Sequence, residues 1–229
     1  MHAPRVGAAR PSPEPGVGRD VAAITREIAR EVRALRRASR VMPHPVPWDW
    51  AASRVLPLLA GTRIDRPGEE LVRAVMEPGC AVEFGLEIGT ALPLVDALVA
   101  ERWECSAGQI RDAAFANLRR RAAEIRRADV TTATFNGRIV RISQARPWTS
   151  SLVLVPDELM RLFGDHDQVL AAPGRSLLVS FGTETPVDVM ADVIVDLEIG
   201  QAHPLMLDPF MLSGARLYWQ SWDEDAWLD

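Results

Sequence analysis

Residues 131–143 read "TTATFNGRIVRIS". Two β-prone runs flank Asn136-Gly137, the pair that most readily supplies the two positive-φ residues of a type I′ turn. The stretch predicts a β-hairpin, and a hairpin commits this part of the chain to antiparallel pairing.

Downstream, "WTSSLVLVPDELMRLFG" (148–164) predicts a helical segment restarted at Pro156 and ended by Gly164. "QVLAAP" (168–173) and "SLLVSFG" (176–182) predict two strands around the turn Pro173-Gly174-Arg175. Pro186 to Glu198 predicts a helix with Val187, Met190, Ile194 and Leu197 inward and Asp188, Asp192 and Asp196 outward. A final strand is expected at Ala215 to Trp219, before the acidic aromatic "SWDEDAWLD".

Upstream, Ser106 and Gln109 form an S-x-x-Q capping box for a long helix whose buried stripe is Ile110, Ala114, Leu118, Ala122 and Ile125. Arg119, Arg120, Arg121, Arg126 and Arg127 cover its outer face. "CAVEFGLEIG" (80–89) alternates as a strand, with Val82, Phe84, Leu86 and Ile88 on one face and Glu83 and Glu87 expected toward solvent on the other. Pro67 to Met76 is expected to be a short helix stopped at Pro78-Gly79, and Pro47 to start another that carries Trp48, Val55, Leu58 and Leu59. Asp20 is placed as the cap of a first helix. Its Val21, Ile24, Ile28, Val32 and Leu35 recur at helical spacing, while Arg26, Arg30, Arg33, Arg36, Arg37 and Arg40 cover the other faces. Such a helix either packs its stripe on its own domain, the commoner outcome, or binds a partner, an acidic membrane surface or nucleic acid.

The expected fold class is α+β: a mixed, largely antiparallel sheet of about five or six strands packed with helices, preceded by a helical N-terminal region. The expected organisation is a Pro/Gly-rich disordered tail over 1–19, a helical region over 20–78, the main domain over 79–222 and an acidic tail over 223–229. There is no internal repeat. No run approaches the ~18 apolar residues of a membrane span, and the N-terminus lacks the apolar core of a secretory signal, so a cytoplasmic protein is expected.

Composition removes several chemistries. All 26 Lys+Arg residues are arginine; a Walker-type phosphate loop, a protein-kinase site or a Schiff base would need the missing lysine. Cys80 and Cys105 are too few for a disulfide framework or a cysteine zinc site. The net charge of -5 conceals an asymmetry: residues 1–40 hold nine Arg against four acids, residues 148–229 three Arg against fourteen acids. That distribution gives no uniform basic surface, so nucleic acid is an unlikely partner.

The segment "FGLEIGTALPLVDALVAERWECSAGQIRDAAFANL" (84–118) resembles the YtpQ-like family of bacterial proteins. The matching residues are Gly89, Trp103, Ala114, Asn117 and Leu118. "SSLVLVPDEL" and "VLAAPGRSLLVSF" resemble that family's later helix and strand-turn-strand, so the likeness spans about residues 80–219. The resemblance implies a mixed α/β domain in a cytoplasmic bacterial protein and brings no catalytic residues with it.

Three functions compete. The first is a non-enzymatic protein-binding or regulatory module, with Arg33, Arg36, Arg37, Trp222 and Trp227 as partner-binding candidates and a homo-oligomer among the possible assemblies. The second is a metal-dependent hydrolase built on Asp165, His166 and Asp167 of "LFGDHDQV" (162–169). No H-E-x-x-H, G-x-S-x-G or G-x-G-x-x-G spacing accompanies that cluster, and in an extended chain His166 opposes the two aspartates. The third is nucleic-acid binding through Arg33, Arg36, Arg37 and Arg119 to Arg121. No metal site and no cofactor are expected, and the first function is preferred.

Overall fold

The computed structural model describes residues 21–61, 73–77, 80–135 and 138–219. The fold is α+β, with two antiparallel sheets rather than the single sheet expected. Helix α1 (Val21–Val41) and the one-turn α2 (Trp48–Ala51) lead into β1 (Val55–Gly61), β2 (Arg73–Glu77) and β3 (Cys80–Leu86), which pair in the order β1-β3-β2. Helices α3 (Ala97–Glu101) and α4 (Ala107–Ala123) follow. The remaining strands are β4 (Val130–Phe135), β5 (Arg138–Ser143), β6 (Gln168–Gly174), β7 (Leu177–Gly182), β8 (Phe210–Ser213) and β9 (Arg216–Trp219). They form the second sheet in the order β4-β5-β7-β6-β8-β9. A 3-10 turn at Thr149–Leu154 and α5 (Pro156–Phe163) precede β6, and α6 (Val187–Ile199) follows β7.

The hairpin registers Phe135 against Arg138, as a two-residue connection requires. Asn136 and Gly137 themselves lie outside the described residues, as do 1–20, 62–72, 78–79 and 220–229. Asp20 as a cap and both tails therefore lie outside them too. The capping box of α4 is complete: Ser106 Oγ accepts from Gln109 N, and Gln109 Oε1 accepts from Ser106 N. Pro156 occupies the first turn of α5, where its missing N–H has no role, and Gly164 ends that helix at φ 111°.

Two expected helices give way to strands, the first after one turn and the second over Arg73 to Met76, the part of it that lies among the described residues. Val55, Leu58 and Leu59 lie on β1, and Arg73 to Met76 lie on β2, both flanking β3. The stretch expected to be a helical N-terminal region thus supplies two strands of the small sheet. In β1, Val55 to Ala60 are all buried, which removes the alternation that marks a half-exposed strand. Pro57 is tolerated because β1 is an edge. The helix beginning at Pro47 stops after one turn because Asn117 Nδ2, from α4, donates to the carbonyls of Ala52 and Val55 at 2.8 and 2.9 Å. The turn expected at Pro173-Gly174-Arg175 moves by one residue, since β6 runs through Gly174 and the chain reverses at Arg175-Ser176. β8 was not expected.

The main core lies where Leu56, Leu58 and Leu59 of the small sheet meet Leu118 of α4, Leu159 of α5, and Leu170, Leu178 and Phe210 of the large sheet. The far face of the small sheet packs Val82, Phe84 and Leu86 on Trp103 and Ile110. The far face of the large sheet packs Val169 and Val179 on Met190, Val193 and Ile194 of α6. β1 and β3 of the small sheet and β6 and β7 of the large one are therefore covered on both faces, whereas β4 and β9 remain largely exposed.

Candidate protein-binding surface

Helix α1 is divided along its length into three sectors. The inward sector is small and acidic: Ala34 and Ala38 are buried against Ala91 and Ile88, and Glu31 accepts from His203, with its Oε2 2.6 Å from His203 Nε2. That hydrogen bond, more than the opposing effect of burial, holds the Glu31 carboxyl below the usual glutamate range. A cleft of about 280 Å³ runs beneath the helix, bordered by Arg30, Glu31, Arg146, Arg175 and His203.

The second sector is apolar and faces solvent. Ile28, Val32 and Leu35 follow one another at i, i+4 and i+7 and are 45%, 41% and 36% exposed, and Val21 continues the row at 77%. The stripe expected to pack on the domain is thus mostly outside. Helical periodicity identifies an apolar face, but the alanines and the Glu31–His203 bond decide which face docks, because alanine lets the helix backbone come close.

The third sector carries Arg33, Arg36, Arg37 and Arg40, all exposed. Among the described residues none of these four has an acidic side chain within ion-pair distance.

The other arginine row is different. On and after α4, Arg120 donates to Asn117 Oδ1 and the Ser53 carbonyl, Arg121 pairs with Glu87 at 2.6 Å, Arg126 with Asp129, and Arg127 donates to the Arg161 carbonyl. Arg120, Arg121 and Arg127 thus tie elements of the fold together, and Arg126 is paired locally. That leaves Arg119 as the exposed guanidinium of this row with neither a hydrogen bond nor an ion pair among the described residues, too little for a bare basic footprint for nucleic acid.

The two strand carboxylates expected in solvent are inside. Glu83 is 1% exposed, and its Oε2 lies 3.3 Å from Arg175 Nη2. Glu87 accepts from Arg121 Nε at 2.6 Å through Oε2 and from Trp148 Nε1 at 2.9 Å through Oε1. Each pairs with a residue remote in the chain, which is how a carboxylate is accommodated where a sheet is covered on both faces.

Asp165, His166 and Asp167 sit at an exposed corner between α5 and β6. Arg141 Nη1 donates to His166 Nε2 at 2.8 Å and to the Phe163 carbonyl at 3.0 Å, and Gln168 Nε2 donates to the carbonyls of Gly164 and His166. Ser180 Oγ in turn donates to Gln168 Oε1. The histidine nitrogen that could take a metal is occupied by an arginine. The groups that could have completed a ligand set are engaged elsewhere: His203 with Glu31, Glu83 with Arg175, and Glu87 with Arg121. Among the described residues no three His, Cys, Asp or Glu side chains come together as a metal site.

Asp188, Asp192 and Asp196 do form the outward face of α6. The same face carries Val195 and Ile199, 52% and 59% exposed, which sequence reasoning missed. The available signal was an excess of apolar residues in "VDVMADVIVDLEI" over what one buried face needs. Trp219 packs edge-on against Phe210 with ring centroids 4.6 Å apart, while Trp222 and Trp227 lie outside the described residues.

The residues that carry the family resemblance have structural roles. Gly89 turns the chain at φ 64°, Trp103 Nε1 donates to the Val46 carbonyl, Asn117 holds the α2–β1 junction, and Ala114 and Leu118 are fully buried. No described helix is long and apolar enough to cross a membrane. No family model matches the chain, and neither does any curated protein or solved structure.

Proposed function

We propose that the protein is a cytoplasmic, non-enzymatic binding module of the YtpQ-like family, and that helix α1 docks it on a protein partner. What carries the proposal is the exposed row Ile28, Val32 and Leu35 beside Arg33 and Arg36. An apolar seam edged by cations with no acidic partner among the described residues fits a protein surface with an apolar groove and a carboxylate rim, where buried area supplies affinity and the rim supplies orientation. Each of the three side chains would gain up to about 1.5–3 kcal/mol on full burial, less the part already covered by neighbours.

The engaged arginines of α4 and the arginine-held His166 supply little toward the nucleic-acid or hydrolase alternatives. The test is comparative. Wild type and Val32→Asp are used as bait in the same lysate, with thermal unfolding as the control for integrity. Proteins captured by wild type and lost from the variant support docking through α1. Equal capture by both would overturn it.

A further inference from the structure

Resting on that reading of α1, we propose that its partner is a second copy of this chain, with α1 of one copy seated on α6 of the other. The two helices present complementary faces. On α1, Ile28, Val32 and Leu35 form an exposed apolar row with Arg33, Arg36 and Arg40 on one flank. On α6, Asp188, Asp192, Val195 and Ile199 follow at i, i+4, i+7 and i+11, all exposed. Residues at those spacings share one helix face, so the α6 row is acidic in its first half and apolar in its second.

Each face has what the other needs: cations for the aspartates, and aliphatic side chains for Val195 and Ile199. Neither is matched among the described residues of its own chain. Arg33, Arg36, Arg40, Asp188 and Asp192 have no oppositely charged partner among the described residues. The ridges formed by residues four apart allow the two rows to interdigitate. Because every copy carries both faces, two α1–α6 contacts can close a twofold dimer without leaving a face unfilled. The outward apolar residues on both helices, which stability of the single chain does not require, then have a role.

Charge reversal in two separate proteins tests this. One variant carries Arg33→Asp and Arg36→Asp, the other Asp188→Arg and Asp192→Arg, and each full-length protein is examined by sedimentation velocity over a concentration series at low and high salt. Wild type should sediment as a dimer at low salt and dissociate as salt screens the contact. Each variant alone should dimerise at least about tenfold more weakly, since like charges then face each other at both contacts. An equimolar mixture of the two should recover the dimer, because each protein's unaltered helix meets an unaltered helix and each reversed helix meets a reversed one.

Recovery on mixing supports the α1–α6 contact and shows that both variants are folded. Several results would overturn it: a wild type that is monomeric throughout, a dimer insensitive to both reversals, or variants that stay monomeric when mixed. A monomer whose α1 is instead covered by anionic vesicles also overturns it. A monomeric wild type from which Val32→Asp still removes captured proteins would reject self-association and leave docking through α1 standing.

Discussion

Arg175 Nη2 lies 3.3 Å from Glu83 Oε2, joining the reversal between β6 and β7 to the middle strand of the small sheet. The side chains are 14% and 2% exposed, so the pair is a weld between the two sheets and not a surface ornament. A buried pair contributes little net stability against an apolar replacement, but removing one partner leaves a charge in a dry site.

Arg175→Met should therefore cost up to about 3–5 kcal/mol in urea unfolding, less what Glu83 retains from its other neighbours. Adding Glu83→Gln should return a substantial part of that loss. Additive losses in the double variant would show that the two residues act independently, and the weld would have to be abandoned.

Asn117 explains why the chain turns from helix to strand between Trp48 and Val55. Its amide holds the carbonyls of Ala52 and Val55 from 65 and 62 residues away, and its Oδ1 accepts from Arg120. Asn117→Ala strips one buried and one part-buried carbonyl of their donor and should cost about 1–3 kcal/mol. Asn117→Asp should cost at least as much, since a carboxylate oxygen would then face the carbonyls. A loss within error of zero for both would mean the junction is held by packing alone.

Elements closed by neighbouring residues were legible. The Ser106–Gln109 box, the 131–143 hairpin, the Pro156 start and Gly164 end of α5, and the Met190 and Ile194 face of α6 all depend on contacts a few residues apart. What was not legible depends on distant partners. β1 looks helical until Asn117 and the double burial of its strand are known. Glu83 and Glu87 look solvated because Arg175, Arg121 and Trp148 are far along the chain. The candidate site divides the same way: the amphipathic character of α1 is in its spacing, but which of its faces stays outside depends on Ala91 and His203.

Gly164 stands at φ 111°, and a β-carbon there would come within 2.9 Å of the His166 ring. Gly164→Ala is strained in its backbone and displaces the imidazole that Arg141 holds. A loss of at least about 1–2 kcal/mol is expected. His166→Ala relieves the clash, so Gly164→Ala should cost less in that background than in wild type. The same loss in both backgrounds would assign the whole effect to the backbone and none to the histidine.

The Glu31–His203 bond ties α1 to the segment following α6, and its pH dependence has a definite sign. The hydrogen bond from His203 stabilises the ionised carboxylate, so the folded-state pKa of Glu31 lies below its unfolded value. A group shifted that way contributes stability that is fully present above the usual glutamate range and is lost as pH falls through the depressed folded value. Glu27 and Arg30 from α1, and Arg146 and Arg175 from the opposite wall, face the same cleft. Of these, Arg175 adds a weaker pull in the same direction. The pair is half-exposed, which limits its worth to about 0.2–1 kcal/mol. Wild type should exceed Glu31→Gln in stability by that amount at neutral pH, and the gap should narrow toward zero in acid. His203→Phe should abolish most of the gap at every pH by removing the group that favours the carboxylate. Urea titrations of four proteins across the acid range, the Glu31→Gln/His203→Phe double variant included, measure it directly. A wild-type advantage that persists unchanged below the glutamate range would mean that Glu31 holds α1 through packing and not through its charge.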